Sequence, residues 1–206
     1  MIDIEKITLE IDGKKVKFEE GTTLLKAAES IGIEIPTLCH HENLESYGAC
    51  RLCTVEITKS GRTRLVAACC YPVENGLIVK TDSERVNKIR KIILELLLPL
   101  APTGPLMTIA AKYGLCEYIK KSEENGEWKV KKFRFPAEKP TYCTLCGLCV
   151  RYCAEVTKEN VIGFVGRGID RRVATVPGKY CISCRECESI CKGGEFMGKF
   201  ASLLGL

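Results

Sequence analysis

CTLCGLCVRYC, residues 143–153, is followed by CISCRECESIC at residues 181–191. The two stretches carry Cys143, Cys146, Cys149 and Cys153, then Cys181, Cys184, Cys187 and Cys191, and each equivalent pair is 38 residues apart. Both have the spacing C-x2-C-x2-C-x3-C, and chance does not produce so specific a run twice in one chain. The remaining composition is that of a soluble globular protein of one or two domains: 206 residues, 28% charged, 46% hydrophobic, formal charge +5, with 14 cysteines. So many thiols in a chain this long do not suggest a small secreted disulfide scaffold. MIDIEKITLE mixes acidic, basic and apolar residues where a signal peptide needs an apolar core, and Ile92–Ala101 is about half a membrane span and contains Glu95 and Pro99. A cytoplasmic protein is expected, with no membrane span and with its thiols reduced or bound to metal.

The doubled spacing resembles the ligand run of bacterial ferredoxins that carry two 4Fe-4S cubanes. Three thiolates three residues apart, on a chain curling around a cube, reach three iron corners, and the fourth ligand comes from elsewhere. In that family the last cysteine of each run starts a helix leading away from its own loop and ligates the other cluster. The resemblance therefore implies one cubane on Cys143, Cys146, Cys149 and Cys191, and another on Cys181, Cys184, Cys187 and Cys153. Tetrahedral zinc is the competing use of four thiolates, but structural zinc draws its ligands from knuckles on separate segments, and a third ligand on the same loop suits it poorly. Ala154 and Lys192 follow the last cysteines where the family places proline, so the exit turns are expected to differ.

A second group precedes these. TLCHHENLESYGACRLCTVEI supplies Cys39, Cys50 and Cys53, and LVAACCYPVENGL supplies Cys69 and Cys70. With Cys69 as the fourth ligand the spacing has the logic of plant-type ferredoxins, which hold a 2Fe-2S rhomb with C-x4-C-x2-C and a distant cysteine, here with a longer first loop. The surrounding segment alternates as strands around Asp12-Gly13, has helical spacing over TTLLKAAESIG ending at Gly32, and then reads as strands over LCTVEIT and RLVAAC. That is a β-grasp order. Adjacent residues of an extended chain point to opposite faces, so one of Cys69 and Cys70 faces the other three sulfurs. The spare one is either a buried small residue or half of a strained vicinal disulfide, and arithmetic alone does not choose.

On these residues the chain resembles the iron-sulfur subunits of NAD-linked hydrogenases and the large iron-sulfur subunit of respiratory complex I. That resemblance implies Cys69 as the ligand, three residues before the Pro72-Val73 pair, and assigns local hydrogen bonding to His41. It extends through SERVNKIRKIILELLL, where Thr81 and Glu84 form a capping box and Val86, Ile89, Ile93 and Leu96 an apolar stripe. The family carries a further cubane on H-x3-C-x2-C-x5-C. Here Thr103, Met107 and Ala110 stand at three of the four positions, leaving Cys116 alone, and one sulfur does not hold a cubane.

The expected fold is α+β: a β-grasp 2Fe-2S ferredoxin-like domain over residues 1–80, a helical connector and hairpin without metal over 81–140, and a bacterial-type two-4Fe-4S ferredoxin-like domain over 141–206. KKSEENGEWKVKKFRF reads as a surface hairpin turning at Asn125-Gly126, with Lys129, Lys131 and Lys132 on a solvated face. Gly166 and Gly168 in VGRGIDRR read as a tight turn rather than a phosphate loop. The tail GGEFMGKFASLLGL offers Phe196, Phe200 and Leu203 either to a neighbour or to the chain's own core.

Twelve ligands make one 2Fe-2S and two 4Fe-4S clusters, about ten irons in all. Each oxidised cluster with its thiolates carries about −2, so the formal charge falls to about −1 and the apparent basicity is no argument for nucleic acid. No dinucleotide fingerprint or P-loop occurs. The expected function is relay of single electrons between a flavin- and NAD(P)H-binding subunit, or soluble ferredoxin, and a catalytic subunit of hydrogenase, formate dehydrogenase or aldehyde oxidoreductase type. A free-standing polyferredoxin is the alternative.

Overall fold

In the computed structural model, residues 6–102, 104–115, 119–121, 128–130, 142–179, 181 and 184–192 are described. The chain divides into two units, residues 1–40 with 46–93 and residues 41–45 with 94–206. Among the described residues no helix is long and apolar enough to cross a membrane.

The first unit begins with β1 (Lys6–Ile11) and β2 (Lys14–Glu19), antiparallel and in register through Ile11 opposite Lys14. Asp12 and Gly13, at φ 47° and 80°, form the two-residue turn whose left-handed backbone matches the twist of the flanking strands. Helix α1 (Leu24–Ser30) follows, its first turn capped by the Thr23 hydroxyl, which accepts from the Lys26 amide at 3.3 Å. Its end closes at Gly32, φ 77°, where the Gly32 amide donates to Glu29 and the Ile33 amide to Ala28, the paired bonds of a Schellman termination. A second tight hairpin joins β3 (Thr54–Lys59) to β4 (Arg62–Ala67) through Ser60 and Gly61, both at positive φ.

A third connection was not visible in the sequence. The three-residue strand β5 (Ile78–Lys80) lies parallel to β1 and antiparallel to β3, giving the order β2-β1-β5-β3-β4. It joins the two hairpins into one sheet. Leu9 and Ile11 of β1, Val55 and Ile57 of β3 and Val79 of β5 alternate inward to pack with Leu24 and Leu25 of α1. The result is a mixed α/β unit, a five-stranded sheet with α1 packed on its inward face.

Helix α2 (Glu84–Leu97) differs from its expected description in two respects. Its cap is Ser83, whose hydroxyl accepts from the Val86 amide at 3.2 Å, whereas Thr81 is engaged by Asp12. The Thr81 amide donates to Asp12 Oδ1 at 2.8 Å and its hydroxyl to Oδ2 at 2.5 Å, tying the first turn to the end of β5. The buried face runs Val86, Arg90, Leu94 rather than Val86, Ile89, Ile93, Leu96, and Leu96 is 42% exposed. A charged residue occupies the face because its guanidinium has a backbone partner: Arg90 donates to the Thr54 carbonyl at 2.8 Å.

In the second unit, α3 (Gly104–Lys112) falls within the expected connector, and β6 (Ile119–Lys121) pairs antiparallel with β7 (Trp128–Val130). The turn expected at Asn125-Gly126 lies outside the described residues, as do Thr103, Cys116, Lys131, Lys132, Phe196, Phe200 and Leu203. Helix α4 (Leu148–Glu155) is followed by the hairpin of β8 (Ile162–Val165) and β9 (Arg172–Thr175), then by the single turn α5 (Glu186–Ser189). Gly166 lies in the turn of that hairpin at φ 76°, where an added Cβ would stand 2.4 Å from the Asp170 carbonyl oxygen, so the loop requires glycine.

The expectation that each run's last cysteine starts a helix is corrected for the first run: α4 begins earlier, at the left-handed Gly147, so that Cys149 sits in its first turn and Cys153 near its end. In the second run α5 begins at the left-handed Arg185 with Cys187 in its turn and Cys191 just past it, and the residues from 193 on lie outside the described ones. Leu148 and Ile190 form a small core with Leu44, and Ile162 and Val173 form another against which Cys143, Cys149, Cys153, Cys187 and Cys191 pack.

Candidate metal centres

Among the described residues no cysteine is joined in a disulfide. In the first unit four of them meet where the loop after α1, the start of β3 and the end of β4 converge. Cys39, Cys53 and Cys69 are 2%, 1% and 1% exposed, and Cys50 is half-buried. The turn between Cys50 and Cys53 is made by Arg51 at φ 59°, whose carbonyl accepts from the Thr54 amide and hydroxyl.

The sulfurs come in pairs. Cys53 Sγ lies 3.4 Å from Cys69 Sγ, and the Cys50 amide donates to Cys39 Sγ at 3.4 Å. Two thiolates bound at about 2.3 Å to one tetrahedral metal ion stand about 3.7 Å apart, close to the spacing of the Cys53 and Cys69 sulfurs. Among the described residues no three His, Cys, Asp or Glu side chains surround a single point as a mononuclear site requires. Two pairs instead suit two metal ions, with two ligands each.

The electrostatics of the thiols express the same crowding. Cys50 is lowered to about 6 by its hydrogen bond from Cys39, and Cys39 is raised by the same bond and by burial. Cys53 is lowered to about 7 by its bond from Cys69, and Cys69 is raised by that bond, by burial and by the Cys53 charge. Each pair can hold one thiolate by sharing a proton, but a second negative charge in a buried pair needs a cation. The donor set therefore fits an iron-sulfur rhomb, which replaces the protons with iron.

Cys69 and Cys70 lie in the turn after β4 rather than in extended chain, so they do not alternate to opposite faces as expected: Cys69 is buried and Cys70 exposed, yet their sulfurs are 3.5 Å apart. They are not joined in a disulfide. His41 Nδ1 accepts from the Asn43 amide at 3.2 Å, the local hydrogen bond expected of it.

In the second unit Cys143, Cys149, Cys153, Cys187 and Cys191, from both runs, pack against the same small core. Burial pushes the Cys149 thiol up to about 12, reinforced by the charges of Cys146, Cys191 and Cys143. Burial likewise raises Cys187 to about 11, with Cys184 and Cys181 adding to it. One cavity is lined by Cys153 together with Cys181, Cys184, Cys187, Val161 and Ile162. The Val161 amide donates to Cys153 Sγ at 3.4 Å, a bond to sulfur of the kind that tunes a bound cluster.

At the degenerate site, Ala110 is fully buried in α3 as a packing residue. Sequence reading missed Arg90, the Asp12–Thr81 pairing and β5. A lone arginine in an amphipathic helix reads as surface, and three residues are too few to show an alternation.

Comparison with known proteins agrees with this chemistry. Residues 5–84 match the family described as the 2Fe-2S iron-sulfur cluster binding domain. That segment belongs to this family. The chain as a whole is homologous to subunits of larger assemblies. It is 35% identical over 207 residues to the NADPH-Fe(3+) oxidoreductase subunit alpha of Geobacter sulfurreducens, covering 94% of this chain and 24% of that one. It is 31% identical over 186 residues to the mitochondrial 78 kDa subunit of NADH-ubiquinone oxidoreductase of Candida albicans, covering 84% and 25%. With the NADP-reducing hydrogenase subunit HndD of Solidesulfovibrio fructosivorans it shares 32% identity, covering 93% and 36%. The chain thus spans about a quarter to a third of the length of these relatives. Among solved structures, a chain of an NAD+-reducing [NiFe]-hydrogenase in the H2-reduced state superposes with a TM-score of 0.64 at 27% identity, covering 82% of this chain and 75% of the other.

Proposed function

We propose that the chain is an iron-sulfur electron-transfer subunit of a multisubunit oxidoreductase linked to NAD(P)H. The observation that carries this reading is the gathering of cysteines from separate segments: two sulfur pairs in the first unit, and Cys153 beside Cys181, Cys184 and Cys187 in the second. Cys39 and Cys50 would hold one iron of a 2Fe-2S cluster and Cys53 and Cys69 the other. Cys143, Cys146, Cys149 and Cys191 would hold one 4Fe-4S cluster, and Cys181, Cys184, Cys187 and Cys153 a second. When bound, these groups supply one-electron storage at potentials set by their surroundings.

The chain's own part is to bury the sulfurs, aim backbone donors such as the amides of Cys50 and Val161 at them, and keep bulk water from most of their surface. In this reading residues 1–80 and 141–206 are the conducting domains, and 81–140 is a connector without metal. The partners in this reading are a flavin- and NAD(P)H-binding subunit on one side and a catalytic subunit such as a hydrogenase on the other; the relatives, subunits of NAD(P)H-linked oxidoreductases and of hydrogenases, support its coarser part. Free thiols in this number suit the reducing cytoplasm.

The test is metal and acid-labile sulfide analysis of the full chain purified without oxygen, with EPR after dithionite. About ten irons and ten sulfides per chain are expected, with a 2Fe-2S signal and two cubane signals. Cys53→Ser should remove about two irons and the 2Fe-2S signal alone. Zinc in place of iron, or silent spectra, would overturn the proposal.

A further inference from the structure

Cys70 is left over from every ligand set, yet its sulfur is 3.5 Å from that of Cys69. We infer that Cys70 is a positioning residue that tunes the 2Fe-2S centre by donating its S–H to Cys69 Sγ. The inference rests on the assignment of Cys69 as a ligand. Once Cys69 holds iron it has no proton to give, so a hydrogen bond between the two sulfurs has one possible direction, from Cys70 to Cys69.

The contact is built into the chain. The amides of Cys70 and Tyr71 both donate to the Ala67 carbonyl at 3.1 Å, closing the turn after β4. Tyr71 is anchored in turn, its hydroxyl accepting from Arg64 and donating to Glu74, each at 2.6 Å. On the opposite side lies Gly48, in the loop between Cys39 and Cys50, at φ 65°. A Cβ there would stand 2.8 Å from Cys70 Sγ, so the glycine leaves the room that the sulfur occupies. Turn, tyrosine anchor and glycine gap hold the thiol against Cys69 although Cys70 itself is exposed.

The physical effect has a definite sign. Reduction places more negative charge on the ligand sulfurs, so a donor to one of them stabilises the reduced form more than the oxidised form and raises the potential. Removing the donor lowers it. Serine keeps a donor at the same position, and alanine does not.

The experiment is an EPR-monitored redox titration of the 2Fe-2S signal in the full chain, in Cys70→Ala and in Cys70→Ser, with iron content measured on each. Cys70→Ala is expected to keep its iron and shift the midpoint to more negative potential, and Cys70→Ser to stay close to the unsubstituted chain. An unshifted midpoint in Cys70→Ala, or a serine variant as low as the alanine variant, overturns the inference while leaving the 2Fe-2S assignment standing. Loss of the signal in Cys70→Ala would make Cys70 a ligand and also overturns it. Absence of any 2Fe-2S signal in the unsubstituted chain would instead refute the proposed function.

Discussion

Arg90 is 3% exposed on a helix whose sequence reads as apolar against charged, and it is tolerated because its guanidinium meets the Thr54 carbonyl one residue beyond Cys53. Arg90→Met preserves most of the volume but leaves that carbonyl without its partner. We expect a loss of about 1–3 kcal/mol, read as a lower urea midpoint, with the first unit losing its iron at lower denaturant than the second. An unchanged midpoint would mean that water replaces the guanidinium at no cost. At this scale the thiols were the most legible residues, because ligand spacing is a statement about chemistry that survives any fold. Arg90 was not, because a charge on a helix is normally solvated and only the structure shows which face meets the sheet. The choice between Cys69 and Cys70 came from resemblance; the structure buries Cys69 with its sulfur 3.4 Å from that of Cys53 and leaves Cys70 exposed.

The first hairpin and α1 could be read from turn residues and alternation, and β3 and β4 from alternation alone: Asp12-Gly13 lies where two left-handed residues are needed, and Gly32 where a helix must stop. The strand β5 could not be read, since its three residues acquire a meaning only when β1 and β3 lie on either side. The misassigned cap of α2 has a similar origin. Thr81 and Ser83 both precede the helix with capping chemistry, and what separates them is Asp12, 69 residues from Thr81 in sequence. Ser83→Ala should cost about 1 kcal/mol through the lost bond to Val86, mainly by fraying the first turn of α2. Hydrogen exchange at the Val86 amide is the direct measurement. If Thr81→Val frays the same amide equally while Ser83→Ala does not, the cap has been wrongly placed.

Across the chain, the recurrent spacing is what sets the number of centres we propose, and the missing ligands are why we propose no more. Cys146→Ser should remove about four irons and one cubane signal, and Cys116→Ser should leave the iron content unchanged, because Thr103, Met107 and Ala110 supply no thiolate or imidazole beside it. Iron lost with the second substitution would mean that residues 81–140 still hold metal. The four sites of the first domain and the eight of the second were legible as sets. How the second set divides rests on the resemblance alone.

Five residues of the loop between Cys39 and Cys50 belong to the second unit rather than the first. Leu44, 7% exposed, packs with Leu148 and Ile190, the Glu45 carbonyl accepts from Arg151 at 2.8 Å, and His41 meets Tyr152 edge-on at 5.6 Å. A fragment severed at residue 93 would retain every sulfur of its own centre yet expose a leucine whose burial is worth about 1.5–3 kcal/mol. We expect such a fragment to assemble its rhomb but surrender iron to a chelator several-fold faster than the intact polypeptide, with equal rates counting against this view. Autonomy, for this ferredoxin module, is thus not conferred by the ligands alone.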